Sequence, residues 1–589
     1  MFDKERTELE SKITEILADN QIPAPEVFKW SDIPFSGEWG ISTSFFQTAA
    51  DEARAGKQVK VPVRAQEIAE LVKTGLGLPA GFSHLEAVRG YLNLTFDTGE
   101  FSRRVVDSAV ERGVDFGKGA PTGQKVMVEF SQPNTHKAMH VGHLRTMILG
   151  DVISQILEYA GNEVVRANYL GDYGKDVIKW TWNFKKRHSK DEKPETEITQ
   201  WMGQLYAEST KMLESDPDGE KEILEMFAKW EARDPEVYDL WKETRQWSLD
   251  GFNEIYESLN IKFDKLYFES DMEAGAKQEV ERLIKAGVAT DERGESGPVV
   301  VKLDEKLGLE NETYRVIALM RSDSTTLYGA WDLALGKQKF ADYALDKSIY
   351  VVDVRQSLHF QQVFKILEID GWDQVEKVKH LPYELVNLPG NLTMSSREGL
   401  VVHLEDLIKE ATQRVYELGK ERNPEMNDTV LQQVAKAVAV GVIKYPLVAR
   451  DNSKLVTFDW DSALDFNGHS APYIQYAHVR TNSLLKKADT KLPASLVPTH
   501  DLDEKEIELI ESISNWPNAV EKAAEGLKTL EITNHAYQLA KCFNEFYNNC
   551  PVIKAEPEVR DFRLRLVAAA KQTIANSLYV LNIPVPDVM

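Results

Sequence analysis

The chain has 589 residues, 42% of them apolar and 28% charged, which is the make-up of a globular protein rather than a disordered or fibrous one. That length suggests about three or four domains, and no stretch of about 18 uncharged apolar residues occurs, so no membrane span is expected. A net charge of −24 and a pI near 5.1 argue against a broadly basic nucleic-acid-binding surface, although overall charge can hide a local basic face.

The opening MFDKERTELESK lacks the apolar centre of a secretory signal. The two cysteines, Cys542 and Cys550, have neither metal-ligand spacing nor a disulfide framework, so a reducing, cytoplasmic location is expected. Leu9, Ile13, Ile16 and Leu17 fall at helical spacing. AQEIAELVKTGLGLP predicts a helix closed by glycines and proline, and GYLNLTF alternates Leu92, Leu94 and Phe96 as a half-buried strand does. Residues 1–115 therefore form an α+β unit, ended by the glycine-rich FGKGAPTGQK.

Beyond it the pattern changes. KVMVEF predicts a short apolar strand, HVGHLRTMILGDVISQILEYAG a helix, NEVVRANYLGDYG a second strand and loop, KSIYVVDV a later strand and HFQQVFKILEI its helix. Strands alternating with helices imply an α/β fold with a doubly wound parallel sheet. The charged, mostly helical stretch from about 182 to about 320 reads as material inserted between the halves of that sheet. Within it, KKRHSK (185–190) is a local basic run, read either as a nucleic-acid contact or as a solvated helix end. From about 402 onward helical periodicity dominates, clearest in LQQVAKAVAVGVIKYPLVA and VRDFRLRLVAAAKQTIANSLYVL, so an all-α bundle is expected there.

The chemistry concentrates at residues 134–151, NTHKAMHVGHLRTMILGD. His140 and His143 are three apart and share a face where a helix begins. A helix N-terminus offers unpaired backbone N–H groups and a positive dipole end, which suit phosphates, and Gly142 removes a side chain where a flat base would approach. The carboxyl end of a parallel strand is where such folds bind ligands. H-x-G-H arises by chance in about one of 70 chains of this composition. No Walker A pattern occurs.

VEFSQPNTHKAMHVGHLRTMILGD resembles the H-x-G-H signature of class I aminoacyl-tRNA synthetases and, more narrowly, the arginyl-tRNA synthetases. NYLGDYG, FESDM, RSDSTTLYGAWDLA, RQSLHFQQVFKIL, LTMSSREG, FNGHSAPYIQYAHVR and the ending IPVPDVM extend that resemblance over most of the chain. It implies a Rossmann-like catalytic domain with helical insertions over 116–420, an N-terminal α+β domain over 1–115 that touches the tRNA elbow, and a helical anticodon-binding bundle over 421–589. It also implies ATP with Mg²⁺ as a substrate complex, L-arginine and tRNA(Arg) as partners, a monomer, and no metal site of the protein's own. Members of the family tend to need bound tRNA before they activate arginine, and that too is expected here.

The second class I signature, K-M-S-K-S, stands here as LTMSSREG. Thr393 and Ser396 occupy the lysine positions and only Arg397 is cationic. The arginyl family often lacks the first of those lysines and carries one just ahead of H-x-G-H, which here is Lys137. The resemblance makes His140, His143, Lys137 and Arg397 catalytic, and His140, Gly142, His143, Met394, Ser395 and Ser396 ATP-binding. It gives Glu129 and Asn134 to the α-amino end of arginine and makes Gln356 another substrate contact. Asp332 takes the guanidinium through two parallel hydrogen bonds, with Tyr328 beside it. Without the resemblance, Asp332 reads as a helix-surface or capping carboxylate.

For tRNA the resemblance offers Tyr473, Gln475, Tyr476, Arg480 and Tyr547 in the helical region and Asn93, with Tyr91, in the N-terminal unit, through ring stacking and phosphate contact. By periodicity alone Ile474 and Tyr476 are equally core residues. The sequence departs from the family at Tyr173, commonly Trp, at Gly329-Ala330-Trp331, and at His136, which receives no role. Two rivals stand beside this reading: another H-x-G-H nucleotidyl transferase of the cytidylyltransferase kind, and a non-catalytic paralog that binds RNA or senses arginine.

Overall fold

The structure, a computed structural model, describes residues 3–33, 37–387 and 403–589. The N-terminal segment comprises α1 (Asp3–Asp19), β1 (Trp30–Asp32), β2 (Gly40–Ser44), α2 (Phe46–Arg54), α3 (Val61–Leu76), β3 (Phe82–Val88), β4 (Tyr91–Phe96) and α4 (Thr98–Arg112). Its antiparallel sheet has the order β1-β2-β4-β3, of which the sequence pattern exposes only β4. In β3 a register shift between Phe82 and His84 breaks the alternation that would mark it.

A parallel sheet follows. Its elements begin with β5 (Lys125–Glu129), α5 (Val141–Tyr159), β6 (Glu163–Leu170), α6 (Lys175–Asn183), α7 (Ile198–Ser215), α8 (Gly219–Glu231), α9 (Pro235–Ser258), β7 (Lys265–Phe268) and α10 (Glu269–Lys285). Next come β8 (Thr290–Asp291), β9 (Val299–Lys302), α11 (Leu303–Lys306), β10 (Val316–Met320), α12 (Tyr328–Tyr343), β11 (Lys347–Asp353), α13 (Ser357–Ile369) and β12 (Val378–Tyr383). The sheet order is β12-β11-β5-β6-β7 and every pairing is parallel. The strand order therefore reverses between β5 and β11, which is where a doubly wound sheet opens a crevice at its carboxyl edge. Thr146 of α5 sits at that point. Its hydroxyl accepts from Ser131 N at 3.2 Å and donates to Val351 O at 2.9 Å, tying the ends of β5 and β11 to the helix.

Two findings correct the expected insertion over 182–320. β7 lies inside that range yet is the edge strand of the main sheet, and β8, β9 and β10 form a separate antiparallel sheet of order β10-β9-β8. Four residues with one neighbouring strand are too few to show a periodicity. The basic run begins in a π-helical turn, Phe184–His188, whose four basic side chains meet carboxylates: Lys185 with Glu236 at 2.7 Å, Lys186 with Glu222 at 2.8 Å, Arg187 with Glu208 at 3.3 Å and His188 with Asp191 at 2.7 Å. It is a helix end knitted into its surroundings.

Among the described residues, the remaining elements are helices and two short strands: β13 (Val386–Asn387), α14 (Leu404–Arg422), α15 (Asp428–Val448), β14 (Val456–Thr457), α16 (Trp460–Ala463), α17 (Ala471–Ala488), α18 (Glu504–Ser514), α19 (Trp516–Gly526), α20 (Thr529–Asn549) and α21 (Pro557–Val580). The compact units are discontinuous in sequence. One joins Met1–Gly117 to Tyr476–Ala519 and His535–Ser577, and the other joins Lys118–Gln475 to Val520–Asn534 and Leu578–Met589. In the first, Trp516 Nε1 donates to Phe116 O at 2.9 Å and Asn576 Nδ2 to Gly113 O at 3.0 Å. In the second, Lys444 of α15 is fully buried against Asp151 of α5 at 3.0 Å, and Asn582 donates to the same carboxylate at 2.8 Å. Buried charges persist where they are paired in this way. Among the described residues, no helix is long and apolar enough to cross a membrane.

α5 lies directly on the end of β5 because Gly150 has no side chain. A Cβ there would fall 2.2 Å from Phe130 Cγ. Gly150→Ala is expected to lower unfolding free energy by about 1–3 kcal/mol through overpacking, read as a lower denaturant midpoint at unchanged slope. Gly294→Ala, with nothing near its added Cβ, is expected to stay within about 0.5 kcal/mol of the parent.

Candidate active site

The loop from β5 to α5 carries three non-glycine residues in the left-handed region, Ser131, Gln132 and His136, with φ of 82°, 45° and 62°. Such strain persists only where neighbours hold it. His136 explains part of the hold. Its buried ring bridges the hydroxyls of Thr135 (3.0 Å) and Thr244 (2.8 Å), and its backbone N–H donates to Ser248 Oγ at 2.9 Å. Burial pushes its pKa down to about 3, so it is a neutral tie between the loop and α9.

α5 then starts on its own histidines. Gly142 N donates to His140 Nδ1 at 3.0 Å, and His140 N donates to His143 Nδ1 at 3.2 Å. The rings stand 4.1 Å apart, centre to centre. Because both Nδ1 atoms accept, both rings carry their proton on Nε2. Burial, then the charge of the neighbouring His403, lowers the pKa of His140. Burial, then His140, brings His143 to about 3. The pair thus offers two neutral N–H donors at a helix N-terminus. Gly142 is required by the first ring: a Cβ there would lie 2.6 Å from His140 Cε1. Lys137 supplies the adjacent positive charge. Its Nζ is 2.7 Å from Asp176 Oδ2 and 4.9 Å from the centre of the Tyr206 ring. Met394, Ser395, Ser396 and Arg397, with Thr393, lie outside the described residues.

On the other side of the loop the groups are acidic. Asn134 pairs with Gly171 in a short parallel bridge, and a Cβ on Gly171 would meet Asn134 Oδ1 at 2.2 Å. Glu129, the last residue of β5, is buried. One of its oxygens pairs with the fully buried Lys339 of α12 and the other accepts from Gln132 Nε2 at 3.2 Å. Tyr328 opens α12 and is exposed, its ring edge-on to Trp331 at 5.1 Å. Asp332, one turn further, already has one lone pair of Oδ2 engaged by His359 Nε2 at 2.5 Å, while Oδ1 has no hydrogen-bond partner among the described residues. Gln356 is exposed in the turn Val354–Gln356 at the carboxyl end of β11.

Sequence reasoning missed Glu269, the first residue of α10. Burial, then the charges of Asp172 and Asp332, pushes its pKa up to about 8, and the charge of Lys137 opposes that shift. Among the described residues no cation pairs with it. Asp172 differs: Arg245 Nη1 lies 2.8 Å away, and Ser270 donates to it from its backbone N and its hydroxyl at 2.8 and 2.7 Å. The signal for Glu269 was its place in FESDM, just past a strand at the carboxyl edge of a parallel sheet.

The departures at positions 173 and 331 meet each other. Tyr173 and Trp331 are edge to face at 5.4 Å, and the indole N–H is shared between Glu273 (3.0 Å) and Thr326 (2.7 Å).

Of the residues offered for RNA, Tyr476, Arg480 and Tyr547 come together. The Arg480 guanidinium lies 4.7 Å from one ring centre and 5.2 Å from the other, and Tyr547 is exposed. Tyr473 is half-buried on α17. Gln475 is a correction: it is fully buried and its amide donates to Pro584 O at 2.8 Å, so it presents nothing to a nucleic acid. Asn93 is half-buried on β4, accepting from Ser42 Oγ at 2.7 Å, next to the exposed Tyr91.

A 3-2-1-4-5 parallel sheet with a histidine-capped helix at its switch point is a nucleotide-binding core, and the family match makes it that of a class I aminoacyl-tRNA synthetase. Residues 105–460 match the family of "tRNA synthetases class I (R), catalytic domain", and residues 474–589 match the "DALR anticodon binding domain". Arginine–tRNA ligase of Bdellovibrio bacteriovorus is 36% identical over 509 residues, covering 85% of this chain and 86% of that protein. The ligase of the same name from Clostridium perfringens is 33% identical over 567 residues, covering 95% and 96%. The solved arginyl-tRNA synthetase of Thermus thermophilus superposes with a TM-score of 0.76 at 26% identity, covering 99% of this chain and all of that one. The chain belongs to the arginyl-tRNA synthetase family, the arginine–tRNA ligases.

Histidine-selective ¹⁵N–¹H NMR is expected to show His140 and His143 as neutral Nε2–H tautomers at pH 7, with His143 titrating only near pH 3. An Nδ1-protonated ring at either position would contradict the cap.

Proposed function

We propose that the chain joins L-arginine to tRNA(Arg) in two steps, with roles set by the geometry above. In the first, an arginine carboxylate oxygen attacks the α-phosphorus of ATP, the bond to the β-phosphate breaks, and pyrophosphate leaves. In the second, a terminal ribose hydroxyl of tRNA, the 2′-OH in class I behaviour, attacks the activated carbonyl and AMP leaves. Mg²⁺ enters with ATP as part of the substrate. The observation that carries this reading is the electrical division of one crevice. Neutral N–H donors, a helix N-terminus and Lys137 stand on one side, and the unpaired Glu269 with the half-engaged Asp332 on the other. A triphosphate suits the first side and a guanidinium the second.

In this reading His140 and His143 donate from Nε2 to phosphate oxygens, Gly142 keeps the space beside the His140 ring, and Met394, Ser395 and Ser396 contact ATP. Lys137 and Arg397 stabilise charge on the leaving pyrophosphate. Glu129, its charge balanced by Lys339, receives the α-ammonium as a hydrogen-bond acceptor together with Asn134, and Gln356 makes another contact to arginine. Asp332 and Glu269 share the guanidinium and Tyr328 packs beside it. Tyr473, Tyr476, Arg480 and Tyr547 take the anticodon arm, and Asn93 with Tyr91 the elbow. The enzyme works in the cytoplasm, where its buried thiols, raised to about 11 for Cys542 and about 12 for Cys550, stay protonated. We read it as a monomer, for which gel filtration is expected to return a mass near the 66.8 kDa of one chain.

Arginine-dependent ATP–pyrophosphate exchange tests the reading. Exchange is expected with arginine alone among the amino acids, and only when tRNA is added. A folded protein that binds tRNA yet exchanges with no amino acid would be the non-catalytic paralog instead. Lys137→Ala is expected to lower kcat by about 10²-fold, and little change would remove the compensation assigned to that lysine.

Glu269 adds a pH dependence. Its pKa near 8 leaves it largely protonated at pH 7, and a bound guanidinium favours the charged form. Arginine binding at pH 7 should therefore release protons, and affinity should rise from pH 6 to pH 8. Calorimetry in two buffers of different ionisation enthalpy reads this directly, and Glu269→Gln should abolish that component.

A further inference from the structure

Asp332 has a partner whose role goes beyond its own packing. His359 Nε2 lies 2.5 Å from Asp332 Oδ2, and the two residues come from different helices, α13 and α12. Both side chains are about a fifth exposed, so the pair is not sealed in the core. An ionised carboxylate only accepts, so the ring donates whichever protonation state it holds. The ring is itself backed by a rigid stack. It stands edge-on to Phe360 at 5.6 Å, Phe360 is stacked on His380 at 4.7 Å, and His380 Nε2 is 3.0 Å from Val352 O on β11. A carboxylate held at one oxygen from a fixed ring cannot rotate freely about its last bond.

That restraint matters for a planar ligand. A guanidinium presents its N–H groups in a fixed fork, so it binds best to acceptors whose plane is already set. A lysine ammonium is a compact point charge and tolerates any orientation of the carboxylate. We propose that His359 is a positioning residue for arginine selection: by donating to Asp332 Oδ2 it fixes the carboxylate plane and leaves Oδ1 to receive the guanidinium. This rests on the assignment of Asp332 to the arginine pocket.

The test compares two substitutions. His359→Gln keeps an N–H donor, and His359→Leu keeps none. Both are assayed by tRNA-supported pyrophosphate exchange, with lysine as competitor and thermal midpoint as control. His359→Leu is expected to raise the arginine KM about tenfold, to leave kcat within about twofold, to leave the ATP KM unchanged and to narrow the preference for arginine over lysine. His359→Gln should return the arginine KM to within about threefold of the parent. An unchanged arginine KM in His359→Leu, a loss that His359→Gln does not recover, or an equal rise in the ATP KM would each overturn the proposal. Asp332→Asn separates the two levels. If it also leaves the arginine KM unchanged, the pocket assignment falls and the proposal with it. If it alone raises KM, only the role of His359 falls.

Discussion

α5 is capped by imidazoles. Caps are usually hydroxyls or carboxylates, whose only duty is to satisfy backbone N–H groups. Here the capping atoms are the Nδ1 atoms of His140 and His143, and committing them fixes the tautomer of both rings and turns their Nε2–H groups outward. The helix start and the two Nε2–H donors are thus one arrangement, and neither can be altered without the other. Gly142 follows from it, because the His140 ring occupies the place of a side chain. The rest of α5 holds the arrangement still: Thr146 bolts it to both strands of the switch point, Gly150 lets it touch Phe130, and Asp151 anchors it to Lys444 and Asn582.

Around that helix the charges fall into two groups. Glu129 with Lys339, Asp172 with Arg245, and Asp151 with Lys444 are buried pairs, each charge offset within hydrogen-bond reach. Removing one member would strand the other at several kcal/mol, about 3–5. Glu269 is the exception, a carboxylate enclosed by other carboxylates and shifted toward its neutral form. An unpaired acid beside Asp332, at the carboxyl edge of the sheet, is destabilised until a cation arrives. Such a cluster favours a cation over a neutral group before any shape is considered. The net charge of −24 does not reveal this, because it sums over paired and unpaired groups alike.

What the sequence made legible follows the range of each interaction. The strand, loop and helix around H-x-G-H are local and periodic, and they stand where the pattern put them. β7 and the small antiparallel sheet were illegible because strands of two to five residues carry no usable period. Lys339 and His359 were invisible for another reason: they meet Glu129 and Asp332 from 210 and 27 residues away. Gln475 was misread through helical phase. Tyr473, Tyr476 and Arg480 recur at three and four residues and share a face, whereas Gln475 sits about 100° from Tyr476 and turns inward. The expectations for Met394, Ser395, Ser396 and Arg397 fall outside the described residues and stand on sequence alone.

The departures from the family pattern bear on how much of the pocket's chemistry is shared. Tyr173 and Trp331 are in contact, so a smaller ring on the loop faces a larger one on α12. The indole is buried with its N–H bonded to Glu273 and Thr326, which orients it toward α10 and away from the neighbouring Asp332. The loop that carries Tyr173 also carries Gly171 and Asp172, which hold Asn134 and the start of α10. Their contact leaves Asn134, Glu269 and Asp332 in their own hydrogen-bond and charge relations. Residues that look anomalous one at a time are, as a pair, packed on each other beside an acidic cluster whose polar groups they do not replace.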